Sequence, residues 1–154
     1  MTSRSTQPVP TVRAVADTNT VVSAFLWGGL PAQVLAAARE GRISLYTSPS
    51  VLAELEDVLK RAKFSARIAQ VSSSVDQLIS GYRALVTTVL PTVIEPTVRD
   101  SDDDQVLACA LSAHAVLIIT RDRDLLELGT FRDIAILAAR EALAMIAVQD
   151  PIVG

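Results

Sequence analysis

Four carboxylates stand where a hydrolytic metal site would need them in this 154-residue chain: Asp17, Glu54, Asp103 and Asp122. Asp17 follows the apolar run Val12-Arg13-Ala14-Val15-Ala16, and Asp122 follows Val116-Leu117-Ile118-Ile119-Thr120. Both runs read as buried strands, and ligands of open α/β sheets bind beyond the carboxyl ends of the strands. Glu54 lies in a helical stretch, and Asp103 in the acidic cluster Asp100-Ser101-Asp102-Asp103-Asp104. Carboxylates converging on one sheet edge suit a hard cation with oxygen ligands, Mg²⁺ or Mn²⁺.

Each acid also has an ordinary reading. At about 100° per residue, Val51, Leu52, Leu55, Val58 and Leu59 share one helix face, with Glu54 at its border and Glu56 and Asp57 toward solvent. A lone Glu at such a border is commonly just a boundary residue. Ser101 and Asp104 can form an N-cap pair, with the acidic first turn complementing the helix dipole. Asp103 shares a stripe with Leu107, Ala110, Leu111 and His114 on a helix that is apolar almost all round from Val106. Asp17 and Asp122 can each serve a turn or a helix cap. Taken singly each acid can be structural; four such acids on alternating elements favour a site.

The elements that must carry them alternate. Strands are expected at Val12 to Ala16, Ile43 to Tyr46 and Val116 to Thr120, with a weaker one near Val86 to Ile94, broken by Pro91, and a last one at Arg132 to Leu137. Helices are expected at Pro31 to Glu40, from Ser48-Pro49 to about Arg61, at Ser65 to Val71, Ser74 to Val86, Ser101 to about His114, and Ala138 to Ile146. This alternation predicts an α/β fold with a parallel sheet covered by helices on both faces. Residues 12–150 read as one domain, and residues 1–11, polar with two prolines, as a loose tail rather than a secretory signal.

Composition narrows the function. Half of the chain is apolar, but no apolar run has the length of a membrane span. One cysteine, Cys109, and one histidine, His114, exclude a zinc site of the His/Cys kind, and the single cysteine suits a reducing cytoplasm. A Ser-His-Asp triad would have to use His114, without a nucleophile-elbow motif. The net charge of −3 argues against a generally basic nucleic-acid binder. Lys60, Arg61, Lys63 and Arg67 nevertheless cluster, and Arg121 and Arg123 flank Asp122. Taken alone, the first group reads as a solvated helix face.

The segment Val15-Ala16-Asp17-Thr18-Asn19-Thr20-Val21-Val22-Ser23 resembles the opening motif of PIN-domain proteins. Leu26-Trp27-Gly28-Gly29-Leu30-Pro31-Ala32-Gln33-Val34-Leu35 continues as in the branch that includes VapC-like toxins of toxin–antitoxin pairs. Asp100 to Ala110 resembles that branch's acidic signature before a buried helix, with Ser101 in place of an expected proline. Ile119-Thr120-Arg121-Asp122-Arg123-Asp124-Leu125-Leu126 resembles its final acidic motif. The four motifs occur in order over about residues 12 to 146, which makes the resemblance far more specific than any one of them.

The resemblance implies a three-layer α/β/α sandwich with a central parallel sheet and a metal-dependent ribonuclease site. Carried over by motif, the acids are Asp17, Glu54, Asp103 and Asp122; Asp103 is chosen over Asp102 and Asp104 mainly by that motif. Asp17 and Asp122 are expected as main ligands of Mg²⁺ or Mn²⁺, with Asp103 and Glu54 completing the site directly or through water. Thr18, Asn19 and Thr120 are expected to hold the ligands by hydrogen bonds. Lys60, Arg61, Lys63, Arg67, Arg121 and Arg123 are candidates for RNA phosphate contacts. With one Trp, two Tyr and three Phe, stacking is not expected to be the main grip on RNA. The resemblance also implies a homodimer and a cognate antitoxin, with Phe25, Leu26, Trp27 and Leu30 around Gly28-Gly29 as their contact surface.

Two rivals remain: a catalytically inactive acidic α/β binding protein, and a HAD-like phosphatase with an Asp nucleophile. Asp17-Thr18-Asn19 lacks the second Asp that the phosphatase reading wants two residues on.

Overall fold

A computed structural model describes residues 12–149. The expected loose tail, residues 1–11, lies outside the described residues, as does residue 150 at the expected domain end. A six-stranded sheet forms in the order β3-β2-β1-β4-β6-β5. Its strands are β1 (Val12–Ala16), β2 (Ile43–Thr47), β3 (Thr87–Thr88), β4 (Leu117–Ile119), β5 (Thr130–Phe131) and β6 (Ile134–Leu137). All neighbouring pairs are parallel except β5 and β6. That antiparallel hairpin corrects the single strand expected over 132–137. Arg132 and Asp133 turn it with φ of 49° and 68°, the two positive angles of a type I′ turn.

Alternation along the strands sorts the core into two layers. Ala14, Ala16, Leu45, Leu117 and Ile119 face one cluster, and Val15, Ile118, Ile134 and Ile136 the other. The first layer is built by α1 (Thr18–Leu26), α2 (Gly29–Arg39), α3 (Pro49–Leu59), α4 (Ala62–Gln70), α5 (Val75–Leu85) and α8 (Ala139–Gln149). The second is built by α6 (Ser101–Ser112) and α7 (Arg123–Leu128). Helices on both faces of a mostly parallel sheet make the expected α/β/α sandwich. Among the described residues no single helix is long and apolar enough to cross a membrane.

The chain leaves β1 toward β2 and β3 on one side and returns on the other through β4 and β6. The crevice beyond the ends of β1 and β4 is therefore the point where strand order reverses, the usual ligand position in such sheets. Gly28 and Gly29, at φ of 75° and 67°, allow the chain to turn 96° from α1 into α2. The strand expected near Val86 to Ile94 shrinks to Thr87–Thr88, after which Pro91 and Pro96 keep residues 89–100 irregular.

Candidate metal centre

Asp17 leaves β1 and caps α1: its Oδ1 accepts the Thr20 N–H at 3.0 Å. Its own N–H bonds to the Ile119 carbonyl at 3.0 Å, which ties the end of β1 to β4. Thr120, fully buried, donates its hydroxyl to Asp17 Oδ2 and accepts the Asp122 N–H at 2.9 Å. One hydroxyl thus ties the Asp17 carboxylate to the backbone at Asp122. Asp122 in turn caps α7, its Oδ1 accepting the Leu125 N–H at 3.1 Å.

Asp103 enters from the first turn of α6 and is 9% exposed. Its Oδ2 is buried and has no hydrogen-bond partner. Carboxylate oxygens of Asp103, Asp122 and Asp124 lie within 4.8 Å of one another. Burial, then the charges of Asp122 and Asp100, push the Asp103 carboxyl up to about 7. Burial also raises Asp17, against the hydrogen bonds of Thr120 and Thr20 and with a further push from Asp122. A buried acceptor left without a donor costs about 1–3 kcal/mol. A hard divalent cation supplies what Oδ2 lacks and neutralises the crowded charge, so these residues fit the expected Mg²⁺ or Mn²⁺.

Glu54 takes a different position. It lies on α3, half-buried, and accepts the Thr18 hydroxyl at Oε1. Burial raises its pKa, opposed by that bond and assisted by Asp102 and Asp100. It therefore lies near the outer acids of the α6 entry and, like Asp17, outside the Asp103, Asp122 and Asp124 trio. Asp124 is a site residue that the sequence reading misses; its position two residues after Asp122 is the available signal. Arg99 holds it in an ion pair at 3.0 Å.

The expected cap pair at the start of α6 is corrected. Asp100, not Ser101, is the N-cap, accepting the Asp102 N–H at 2.9 Å. Asp104 instead accepts the Thr97 and Val98 N–H groups at 3.1 and 2.9 Å, pinning the irregular segment. A carboxylate caps as well as a hydroxyl, so the local work is done one residue earlier.

The expected cations divide. Lys60 pairs with Glu56 at 3.1 Å, an i,i+4 pair on the surface. Arg67 donates Nε to the Leu26 carbonyl at 2.6 Å and lies over the Trp27 ring. Lys63 lies over the Phe64 ring, and Arg61 is exposed at the start of α4. Arg121 bonds Ser23 Oγ at 2.7 Å. Arg121, Asp122 and Arg123 line one cavity of about 600 Å³ with exposed Asn19, the third residue expected to hold ligands. Asn19 is thus placed beside the trio rather than behind it.

The apolar group expected around Gly28-Gly29 splits. Leu26 is 1% exposed in the core and Phe25 packs edge-on against Tyr82, whereas Trp27 is 57% exposed. Cys109 is fully buried, and burial lifts its thiol to about 11, so it is an inert core residue.

A family model described as the PIN domain matches residues 13–124. An uncharacterised protein of Methanocaldococcus jannaschii is 28% identical over 118 residues, which cover 76% of this chain and 75% of that one. The RRP44 PIN domain of T. brucei aligns over 90% of this chain and 82% of its own, at 16% identity and a TM-score of 0.46. The family match points to nuclease chemistry, and the clustered carboxylates of Asp103, Asp122 and Asp124 fit a metal site. With nearly three quarters of its length matched, the chain belongs to the PIN domain family.

Proposed function

We propose that the chain is a Mg²⁺- or Mn²⁺-dependent endoribonuclease and the toxin of a toxin–antitoxin pair, acting in the cytoplasm as a homodimer. The observation that carries the nuclease reading is the unpartnered Asp103 Oδ2 inside a trio of carboxylates, in a chain of the PIN domain family. The toxin, antitoxin and homodimer readings rest on the resemblance of its four ordered motifs to that branch of the family.

Asp17, Asp103 and Asp122, with Asp124 beside them, are the residues that would hold the cation. Bound there, it would lower the pKa of water and stabilise the leaving oxygen of a phosphodiester. Thr120 sets the position of the Asp17 carboxylate and holds the Asp122 backbone through its single hydroxyl. Thr18 likewise positions the carboxylate of Glu54, which, from its place beside Asp100 and Asp102, would act through water. The site repels RNA by charge, and Arg121 and Arg123 at its rim offset that repulsion.

The test offers purified protein an RNA oligonucleotide and a small phosphate ester, each with and without Mn²⁺, while melting is followed in parallel. Metal-dependent RNA cleavage, lost with EDTA and in D103N, supports the reading. Cleavage of the small ester alone would favour the phosphatase alternative. A metal-induced rise in melting temperature without cleavage of either would favour the binding-protein alternative. Light scattering tests the homodimer, and a small upstream reading frame encoding a DNA-binding domain with a polar tail would support the toxin role.

A further inference from the structure

Trp27 is the only tryptophan of the chain, and it stands more than half exposed at the corner where α1 gives way to α2. Its side chain is nevertheless held in place. Arg67 lies over the indole with its guanidinium carbon 5.8 Å from the ring centroid. That guanidinium is itself fixed, by the Leu26 carbonyl at 2.6 Å and Gln70 Oε1 at 3.1 Å. Phe64 of α4 meets the indole edge-on at 6.0 Å between centroids. The result is a rigid aromatic surface, part of which faces solvent.

This surface lines the same cavity as Asp122, Arg121 and Arg123. An aromatic face, two arginines and a member of the carboxylate trio thus share one opening of about 600 Å³. A nucleobase has an extended flat π-face and a phosphate attached; the cavity presents a counterpart for each. A second protein chain would also meet an exposed indole, but it gives no reason for paired cations beside it.

We infer that Trp27, backed by Phe64 and Arg67, is a base-stacking subsite that seats one nucleobase of a single-stranded RNA beside the phosphate to be cleaved, with Arg121 and Arg123 receiving the backbone. The strand is single because a paired base cannot leave its stack to lie on a side chain without prior opening. Stacking on Trp27 orients the substrate without hydrogen-bond readout, so the subsite tolerates every base and favours purines by area. The composition counts few aromatics; the fold places two of them at the mouth of the acidic site. This inference rests on the nuclease reading for its substrate, yet it can fail separately.

The test titrates the full chain in EDTA, where no cleavage occurs, with a ten-nucleotide single-stranded RNA and with inorganic polyphosphate of matching charge. RNA should quench Trp27 emission and polyphosphate should not. By anisotropy of labelled RNA, Trp27→Ala should weaken binding about tenfold and Trp27→Phe should restore most of it. The salt dependence should stay the same in Trp27→Ala and flatten in Arg121→Ala. With Mn²⁺ present, Trp27→Ala should raise KM more than it lowers kcat. Unmoved emission together with wild-type RNA affinity in Trp27→Ala overturns the subsite, whether or not the chain cleaves RNA. Quenching and weakened binding without any metal-dependent cleavage would instead keep the subsite and remove the nuclease reading. Emission that responds to self-association, with dimerisation lost in Trp27→Ala and RNA affinity unchanged, assigns the face to a second copy and also overturns the proposal.

Discussion

Neutralising Asp103 should stabilise the metal-free protein. Its carboxyl is displaced from 3.8 to about 7, by burial first and then by Asp122 and Asp100. At about 1.4 kcal/mol per pH unit, that gap caps the cost of ionising it in the fold at about 4 kcal/mol. The group titrates together with its acidic neighbours, so about 1–2 kcal/mol is the realistic gain in D103N. The sign follows from proton linkage. The folded state holds the Asp103 proton more tightly than the unfolded chain does. The stability which that proton contributes is fully present below about 3.8 and is lost as pH rises through about 7.

Melting in EDTA at pH 8.5 should therefore place D103N above the wild type by about 3–8 °C for a domain of this size. At pH 5.5 the difference should shrink, because the wild-type carboxyl is then protonated in the fold. Divalent metal reverses the order. At a hundredfold excess over Kd, Mn²⁺ should stabilise the wild type by about 2.7 kcal/mol, and D103N by much less. A variant less stable than the wild type in EDTA at pH 8.5 would mean that Asp103 is a structural cap. Equal stabilisation of both proteins by Mn²⁺ would remove it from the site.

Asp17→Asn and Asp122→Asn should each abolish metal-dependent RNA cleavage, about a hundredfold or more, with unchanged circular dichroism, because an amide oxygen still caps α1 and α7. Thr120→Val should cost about 1–3 kcal/mol in denaturant unfolding by leaving Asp17 Oδ2 and the Asp122 N–H without their shared partner; Thr120→Ser should recover most of it. Replacing Lys60, Arg61 and Lys63 together by Ala should flatten the salt dependence of RNA affinity by about 1–2 in log–log slope, read by anisotropy, and leave metal affinity unchanged. An unaltered slope returns the cluster to a solvated face, which the Lys60–Glu56 pair already favours for one of its members. Glu56→Gln should change melting by no more than about 0.5 kcal/mol.

Where burial is decided by a run of apolar residues, the sequence was readable. Val12–Ala16 is a strand as expected, and the helix entered through Ser48-Pro49 begins at Pro49 with Ser48 accepting the Val51 N–H. The misses have two causes: a deciding contact distant in sequence, or a turn made by residues that do not announce it. Thr87 and Thr88 form a strand because they pair with Tyr46 and Thr47, and nothing local extends it past Pro91. The β5–β6 hairpin carries Arg132 at a positive angle normally taken by Gly, Asn or Asp and has no Gly after Asp133, so its turn signal is weak. At the site, strand ends identified Asp17 and Asp122, and a helical stripe supported Asp103. Which acids share a space is set by the approach of α6 to α7, and this puts Asp124 in the trio and Glu54 outside it. The exposure of Trp27 likewise depends on a 96° corner and on α4 behind it.

The alternative between helix cap and metal ligand dissolves once oxygens are counted separately. A carboxylate offers about four acceptor positions on two oxygens. Asp122 uses one on the Leu125 N–H, and Asp17 uses two, on the Thr20 N–H and the Thr120 hydroxyl, leaving lone pairs on both residues. Capping fixes each side chain against a helix N-terminus. Asp103 lies in the first turn of α6, where Asp100 provides the cap, so its Oδ2 remains unpartnered and carries the strongly raised pKa. The three acids therefore divide the work: two are held in place by the helix starts they cap, and the third keeps a free oxygen at the cost of charge burial. A site built this way binds a cation with little rearrangement of its walls, because the capped side chains are already fixed and Asp103 presents an oxygen with no other partner.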